Sequence, residues 1–557
     1  MTSCQVMLVS MFPSRKRGVQ VTFSEKMEHL FRLKPEQVTS HSYLGLALLS
    51  QLKPVLSHLI CSHSHRRASN FSRARLGMRP DFRRLALTAS ELLLQSINKQ
   101  PFTQQKEFAA MIPSSTRFDQ STMQALLDAD PLVADYRAFF ALFDWSVVDR
   151  WQARQSACCG SHGHPLSAYL KAFLLRIKEG LRYSTDLRRF LLLHPLLVIE
   201  LGFVLHLDAS APYGFDVEKS LPTRYWLGQK LRELDRGLLT DLLAATVRDL
   251  KEEIPGLGET LVVDVKHIYA WVAENNPRVY VKGPYNVTHI PKGDPDSRLG
   301  IKKSSNQEQP DGSTKERKEG LFGYGSGVAV STDPVYGDVV HAEYTLPFNA
   351  ADVSYYRTLF DHSVLALGHY PTHVAADAAY DFWYVYQTIA ATGAGIAAIA
   401  ANDHGQERVR REPDGTPYCS KGLLMAPSYR FRHTRGYQAQ RFRCPLLFPE
   451  KSGQSCDHEQ FLKGKGCVKD VNMEKGGIMR SRMERHTPLY QAVYRQRTAA
   501  ERINSQAKEL GIERPKVRNL RSVRNLNTLI YVVINVRALA RAKAINAALL
   551  STANGGR

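Results

Sequence analysis

Near the end of the chain, a helix-forming segment places four reactive side chains at regular intervals. The segment over about 490–510 contains no Gly or Pro, which predicts one continuous helix. On such a helix Tyr494, Arg497, Glu501 and Lys508 lie within an arc of about 60°. The carboxylate suits a hard metal ion, and the flanking cations suit phosphate. A solvated helix with an i,i+4 pair between Arg497 and Glu501 is the alternative interpretation.

Two aspartates elsewhere in the chain end apolar runs. Asp264 lies in "ETLVVDVKHIYAWV", and Asp377 closes "THVAAD". A carboxylate at such a position has no packing role, and strand ends of an α/β sheet are well placed for a metal site. Together with Glu501, these aspartates predict a site for two Mg²⁺ ions about 4 Å apart, which would activate a water or a 3′-hydroxyl for in-line displacement at phosphorus.

The elements that must position these carboxylates follow an alternating pattern from about residue 260 onward. The order strand, strand, strand, helix, strand, helix, strand predicts a mixed α/β sheet. A long polar loop is predicted over 283–320, after the first strand. The second helix is predicted to begin at about 381, with Asp381 as its N-cap.

The flanking sequence divides into segments of different composition. We predict a poorly ordered basic extension over 1–110, which is rich in Ser, His and Arg. Helical periodicity follows over 111–255, and the sheet occupies 256–402. Short polar strands predict a β-rich segment over 403–485, and helices close the chain over 486–557.

The overall charge indicates a polyanionic partner. The chain has 557 residues, with 74 Lys and Arg against 53 Asp and Glu, a net charge of +21. Such a surplus favours nucleic acid or an anionic membrane surface. A membrane is the weaker option, because the most apolar long stretch, 190–207, contains His194, Pro195 and Glu200 and predicts a buried helix. The N-terminal sequence lacks a signal-peptide order, so we expect a cytoplasmic protein.

Eight cysteines in a chain of this length do not suggest a disulfide framework. Four of them fall in the β-rich segment: Cys419, Cys444, Cys456 and Cys467. With His458, two residues after Cys456, they could supply four zinc ligands. No C-x-x-C pair is present among them, and a cluster of reduced core thiols is the alternative.

The motif of the first segment resembles one branch of the DDE transposases of bacterial insertion sequences, which are built on an RNase H-like fold. That branch is marked by Tyr, two residues, Arg, three residues, Glu, six residues and Lys. Here the pattern is matched in full by Tyr494, Arg497, Glu501 and Lys508. The resemblance covers roughly residues 120–545.

The aspartates extend the resemblance. The sequence "ADAAYD" is similar to the second-aspartate motif of the branch, in which the first Asp binds metal; this role falls to Asp377 and not to Asp381. Asp264 in "VVDVKH" corresponds to the first aspartate. The resemblance implies an RNase H-like catalytic core over 256–402, completed by the helix of Glu501. It also implies catalysis by Asp264, Asp377 and Glu501 with two Mg²⁺ ions, for which Mn²⁺ would substitute.

The same resemblance implies the partners. Tyr494, Arg497 and Lys508 would contact DNA phosphates beside the cut. The helical segment 111–255 and the basic link over 513–525 would bind the terminal repeats of the element as a homodimer on double-stranded DNA. The implied activity is hydrolysis at the element ends, followed by attack of the freed 3′-hydroxyls on target DNA. A nuclease of this fold without strand transfer, or a catalytically lapsed DNA-binding regulator, are the alternatives.

One feature departs from the branch. Its β-rich insertion, which corresponds to 403–485 here, tends to carry a tryptophan that stacks on a flipped base. No Trp lies between residue 384 and the end of this chain. The aromatic residues that could replace it are Tyr418, Tyr429, Phe431 and Tyr437, since any aromatic face can stack on a base.

Overall fold

The computed structural model describes most of the chain after residue 119. The described residues are 120–156, 163–276, 288–308, 314–393, 395–402, 410–412 and 414–554. The extension predicted over 1–110 therefore lies outside the described residues.

Helices occupy the described chain up to residue 253. They are α1 (Gln120–Ala129), α2 (Pro131–Phe140), α3 (Ser146–Ser156), α4 (Leu166–Lys178), α5 (Ser184–Leu193), α6 (Pro195–Glu200), α7 (Val217–Ser220), α8 (Arg224–Glu233) and α9 (Arg236–Glu253). Asp130 and Asp235 begin α2 and α9 by accepting hydrogen bonds from backbone N–H groups of the first turn. Apolar residues on nearly every side of α4 bury it at the centre of this region.

A mixed sheet follows the helices. Its strands are β1 (Thr260–Tyr269), β2 (Arg298–Glu308), β3 (Thr314–Asp333), β4 (Gly337–Pro347), β5 (His373–Ala376) and β6 (Ala397–Ile399). The first half of β3 pairs with β2, and its second half lies between β1 and β4 in antiparallel pairing. Strands β5 and β6 continue the sheet on the other side of β1 in parallel pairing. The predicted mixed α/β sheet is confirmed.

The polar loop predicted over 283–320 is wrong in its second half. Strand β2 and the start of β3 form an antiparallel pair there, from Arg298 opposite Gly323 to Glu308 opposite Thr314. Charged and polar residues follow one another on both strands without the apolar alternation of a half-buried strand. The pattern that reveals a strand was therefore missing from the sequence.

Two helices connect the strands on the way to β6. They are α10 (Val353–Leu367) and α11 (Trp383–Thr392). The predicted N-cap role of Asp381 is wrong, because Phe382 occupies that position. The buried carboxylate of Asp381 instead accepts two hydrogen bonds from Arg480, at 2.8 and 2.7 Å, and others from Tyr386 and the Asn402 backbone.

A small β-rich unit lies between β6 and the last helices. It contains β7 (Ala426–Arg432), β8 (Gln438–Arg443) and β9 (Val468–Asn472), which form an antiparallel sheet in that order, and the helices α12 (Glu459–Leu462) and α13 (Lys475–Arg482). Helix α13 packs on α11. The bidentate contact between Arg480 and Asp381 therefore anchors this unit to the segment between β5 and α11.

Three helices close the chain: α14 (Pro488–Arg495), α15 (Thr498–Glu509) and α16 (Leu520–Asn554). The C-terminal helices are as predicted, but the single helix expected over about 490–510 is divided. At Gln496 and Arg497 the N–H groups bond to carbonyls three residues back, so a tight turn separates α14 from α15. Among the described residues, no helix combines the length and apolar character needed to cross a membrane.

Helix α16 covers the edge strand β4. The side-chain amide of Asn535, fully buried, accepts a hydrogen bond from the Val340 N–H at 2.9 Å and donates one to the Val340 carbonyl at 2.7 Å. His341 is the extra residue of a β-bulge at this point, and its imidazole contacts the Ser331 hydroxyl at 2.6 Å. The backbone at this edge is therefore satisfied by a side chain instead of another strand.

Candidate active site

The two predicted aspartates lie side by side on adjacent parallel strands. In the pairing of β1 with β5, Val262 lies opposite Ala375. The same register carried two residues further places Asp264 level with Asp377. Asp377 directly follows β5, where its Oδ1 accepts a hydrogen bond from the Ala379 N–H at 2.9 Å. The parallel pairing therefore brings the two carboxylates together on neighbouring interior strands. The prediction that Asp264 ends its strand is wrong, because β1 continues for five residues beyond it to Tyr269.

The environment of Asp264 disfavours its ionised form. Burial raises the pKa of this carboxyl to about 6, and the charges of Asp377 and Asp352 push in the same direction. A hydrogen bond from the Val265 N–H and the nearby Arg497 guanidinium act in the opposite direction without cancelling the shift. Asp264 is thus a half-buried member of a cluster of like charges.

Asp352 is a third carboxylate in this cluster, and it was not predicted. Burial raises its pKa to about 6, with a further contribution from the charge of Asp377. It directly precedes α10, where an aspartate ordinarily indicates an N-cap. Its side chain makes no capping hydrogen bond, and its backbone is already helical at φ −55° and ψ −39°. The sequence therefore offered a misleading signal for this residue.

Helix α15 joins the cluster through Asn504. The buried Asn504 amide donates a hydrogen bond to Asp264 Oδ2 at 2.9 Å. On the outer side of α15, Arg502 donates two hydrogen bonds to Asp338 of β4, at 2.8 and 2.6 Å. Glu501 precedes Asn504 by one helical turn, so these contacts hold its helix against the sheet beside Asp264.

Glu501 is paired with Arg497. The Arg497 Nη2 and Glu501 Oε1 atoms are 2.7 Å apart, and the Glu501 side chain is 52% exposed. Arg497 is also close enough to Asp264 to lower the pKa of that carboxyl. This guanidinium is therefore the positive charge that both Glu501 and Asp264 share.

The other two residues of the motif lie on either side of this pair. Tyr494 is half-buried at the end of α14 and stacks on Tyr490, with ring centroids 5.7 Å apart. Lys508, near the end of α15, is exposed and lies 3.5 Å from Glu513. The same Glu513 carboxylate is 3.5 Å from Lys266 of β1. The structure therefore places Arg497 at the carboxylate cluster, and Lys508 in a separate ion-pair network that reaches β1.

The donor chemistry of the cluster fits a hard divalent cation. Asp264, Asp352 and Asp377 supply carboxylate oxygens, the ligands that Mg²⁺ and Mn²⁺ prefer. The Tyr380 hydroxyl and Asn504 Oδ1 are buried without a hydrogen-bond partner among the described residues. The charges of the three aspartates add to burial in raising the pKa of Tyr380. As they stand, no three His, Cys, Asp or Glu side chains within the described ranges are positioned to hold a metal ion.

Cations of the basic link that precedes α16 lie over two aromatic rings at and just after the end of β1. The Arg514 guanidinium lies 4.6 Å from the centroid of the Tyr269 ring at the end of β1. Arg518 lies 4.8 Å and Lys516 lies 5.6 Å from the centroid of Trp271, which is exposed. We name Tyr269, Trp271, Arg514, Lys516 and Arg518 the link surface. Its combination of cations and open rings suits a nucleic-acid backbone with its bases.

The aromatic candidates in the β-rich unit differ in their surroundings. Arg441 lies over the rings of Tyr429 and Phe431, at 5.4 and 5.3 Å from their centroids. Tyr429 is 52% exposed, whereas Tyr418 and Tyr437 are half-buried. Of the four aromatic residues predicted as candidates for base stacking, Tyr429 is therefore the most exposed to solvent.

The predicted zinc ligands converge in space. The side chains of Cys419, Cys444 and Cys467 are buried together, and Cys456 packs against them. Burial raises the pKa of the Cys467 thiol, and the other three cysteines contribute to the shift. His458 Nδ1 lies 3.6 Å from Cys467 Sγ and also accepts a hydrogen bond from the Gln460 N–H at 3.2 Å.

Comparison with known proteins adds no relative: no protein-family model matches the chain, and no curated protein matches it.

Proposed function

We propose that this chain is a DDE transposase with an RNase H-like catalytic core, which cuts DNA at the ends of an insertion sequence and joins them to target DNA. The observation that carries the proposal is the meeting of Asp264 and Asp377 on adjacent parallel strands, with the helix of Glu501 tied to Asp264 through Asn504. Glu501 lies one helical turn before Asn504, and its position on this helix supports its inclusion with the two aspartates.

The order of the sheet supports the RNase H-like assignment. Strand β3 pairs in antiparallel fashion with β4 on one side and with β1 on the other. Strands β5 and β6 lie parallel to β1 on its other side. The first carboxylate lies on the central strand, the second follows its parallel neighbour, and the third lies on a later helix. This arrangement agrees with the core expected from the resemblance.

Each residue of the site has a distinct role in the proposed reaction. Two Mg²⁺ ions, when bound, supply Lewis-acid activation of a water or 3′-hydroxyl and of the scissile phosphate. Asp264, Asp377 and Glu501 would hold them, and Asn504 fixes the orientation of the Asp264 carboxylate through its hydrogen bond. Arg497 balances the negative charge of the carboxylates and is positioned to exchange Glu501 for a DNA phosphate.

The charge distribution supports DNA as the substrate. The net charge of +21 favours a polyanion. Lys508 is exposed on the helix that carries Glu501, and the link surface begins at the far end of the strand that carries Asp264. DNA held at the carboxylates would therefore continue along β1 towards Trp271. The helices between 120 and 253 would bind the terminal repeats, and two copies would assemble on the two ends of the element.

A duplex taken from the DNA that flanks the coding region provides the test. With Mg²⁺ or Mn²⁺, the full chain should cut this duplex and join its 3′-hydroxyl end to a supercoiled plasmid. Asp264→Asn and Asp377→Asn should each reduce cutting by about 10³-fold or more. Asp361→Asn, which removes an exposed carboxylate paired with Arg357, should cut normally. Unreduced cutting by both active-site variants would refute the proposal.

One observation favours a second candidate. The ion pair between Arg497 and Glu501 satisfies the glutamate without a metal, as a DNA-binding regulator of lapsed activity would require. Such a protein would bind the flanking duplex as tightly as a transposase but would neither cut nor join it. A nuclease would instead cut the duplex and yield no joined product in the same assay.

A further inference from the structure

We propose that the β-rich unit is held together by a structural zinc ion, bound by the thiolates of Cys419, Cys444, Cys456 and Cys467. This inference is independent of the proposed transposase activity, because these cysteines lie in a different unit from the carboxylate cluster.

The convergence of the four thiols carries the inference. Cys419 lies in the turn before β7, and Cys444 directly follows β8. Cys456 lies in the loop between β8 and α12, and Cys467 directly precedes β9. Four separate stretches of the chain therefore each direct a cysteine to the same place, although no two of the cysteines are close in sequence.

The size of the core gives a physical reason for a metal. Only seven buried residues form the core of this unit, and three are cysteines: Cys419, Met425, Phe442, Cys444, Leu446, Cys467 and Val471. Four buried apolar side chains, with the partly buried Leu447, Phe461 and Met473 packed against them, make a small core for three strands and their loops. Small units of this kind ordinarily need a metal or disulfides. The four cysteines are free thiols, which leaves a metal as the cross-link.

The alternative is that the thiols act only as small apolar side chains, since free cysteine is among the most buried residue types. Two features disfavour that alternative. Cys456 is only half-buried, at the rim of the cluster. In addition, the four thiols gather next to one another, and the polar His458 ring contacts Cys467.

The surroundings of His458 select Cys456 as the fourth ligand. His458 is the N-cap of α12, and its Nδ1 accepts the Gln460 N–H hydrogen bond. Nδ1 is the ring nitrogen that faces the cysteines, and this hydrogen bond already uses its lone pair. We therefore do not assign His458 as a zinc ligand, and propose that its ring packs beside the sulfur of Cys467. The four groups do not yet form a coordination shell. Zinc binding would draw the loops of Cys456 and Cys467 inward and release the thiol protons to solvent.

Metal analysis of the full chain tests the proposal. The protein is produced in zinc-supplemented medium, purified without chelators and analysed by mass spectrometry for metals. We expect about one zinc ion per chain, the stoichiometry of a closed four-thiolate site. Cys419→Ser and Cys456→Ser should each lower the zinc content at least about fivefold. The control variant Cys4→Ser should retain it.

A cobalt spectrum of the unaltered chain provides a readout that does not depend on variants. Replacement of zinc by Co²⁺ should produce a thiolate-to-cobalt charge-transfer band and the strong visible bands of a tetrahedral site. Absence of these bands, or zinc content that stays unchanged in both Cys419→Ser and Cys456→Ser, would overturn the proposal. If the serine variants do not fold, the cobalt spectrum alone decides.

Discussion

Asn504 donates its side-chain amide to Asp264 at 2.9 Å, and this hydrogen bond joins the helix of Glu501 to the central strand of the sheet. The contact spans 240 residues of sequence. This bond orients the Asp264 carboxylate. Because Asn504 lies one turn after Glu501 on the same helix, the bond also fixes the position of the turn that carries Glu501. Asn504 is not part of the motif formed by Tyr494, Arg497, Glu501 and Lys508, yet it holds the helix of that motif against the sheet.

Asn504→Ala should reduce DNA cutting by about 10- to 100-fold, the usual cost of removing a partner that orients a metal ligand. Binding of the flanking duplex should change little, because Asn504 is buried away from solvent. The measurement is a single-turnover cleavage assay beside a gel-shift titration. Ser505→Ala, on the exposed side of the same helix, is the control. A parallel loss of binding and cutting would indicate a general loss of structure.

If the proposed metal role of Glu501 is correct, Glu501→Gln should abolish cutting and leave DNA binding almost unchanged, since the substitution removes the charge of the side chain but keeps its shape. Cleavage and gel-shift assays on the same preparation separate the two effects. Normal cutting by Glu501→Gln would reduce Glu501 to an ion-pair partner of Arg497.

Arg497→Ala and Lys508→Ala should each weaken DNA binding and lower the salt dependence of the binding constant by about one phosphate contact. Slow residual cutting should survive in both variants, because the carboxylates remain. Gel-shift titrations at several salt concentrations give the slope. Lys463→Ala, in an exposed ion pair with Glu459, should leave the slope unchanged.

Asp352→Asn should stabilise the protein above about pH 6 and have little effect near pH 4. The folded protein holds the pKa of Asp352 at about 6, above its ordinary value of 3.8, so folding disfavours the ionised form. The free energy of unfolding of the natural chain should therefore fall as the pH rises from about 4 to 6. Melting temperatures of the two proteins should differ by about 2 °C or more at pH 7.5 and converge at pH 4.

Arg480→Ala should destabilise the contact between the β-rich unit and the sheet by about 3 kcal/mol, because it leaves the buried Asp381 carboxylate without its main partner. Urea unfolding followed by fluorescence measures the loss. Arg482→Ala, two residues further on α13 and exposed, provides the comparison. Equal stability of the two variants would show that Arg485, 3.8 Å from Asp381, satisfies the carboxylate together with Tyr386 and the Asn402 backbone.

The sequence predicted the residues whose local signal is strong. Asp264 and Asp377 follow short apolar runs that favour buried strands, and parallel pairing then brings them together. Asp352 and Asn504 carried no such signal. The first resembles a helix cap, and the second acts through a contact between segments far apart in sequence. The division of the last helical segment at Arg497 was also hidden, because both halves favour helix and only packing against the sheet distinguishes them.

The buried amide of Asn535 has a consequence for how two copies of this chain could associate. It occupies both backbone groups of Val340, and the bulge at His341 distorts the strand beside it. An incoming strand from another molecule would find neither a donor nor an acceptor there unless α16 first detached. Two copies of the chain therefore cannot dimerise by pairing their β4 strands into one continuous sheet. The same contact protects this edge from aggregation through strand pairing.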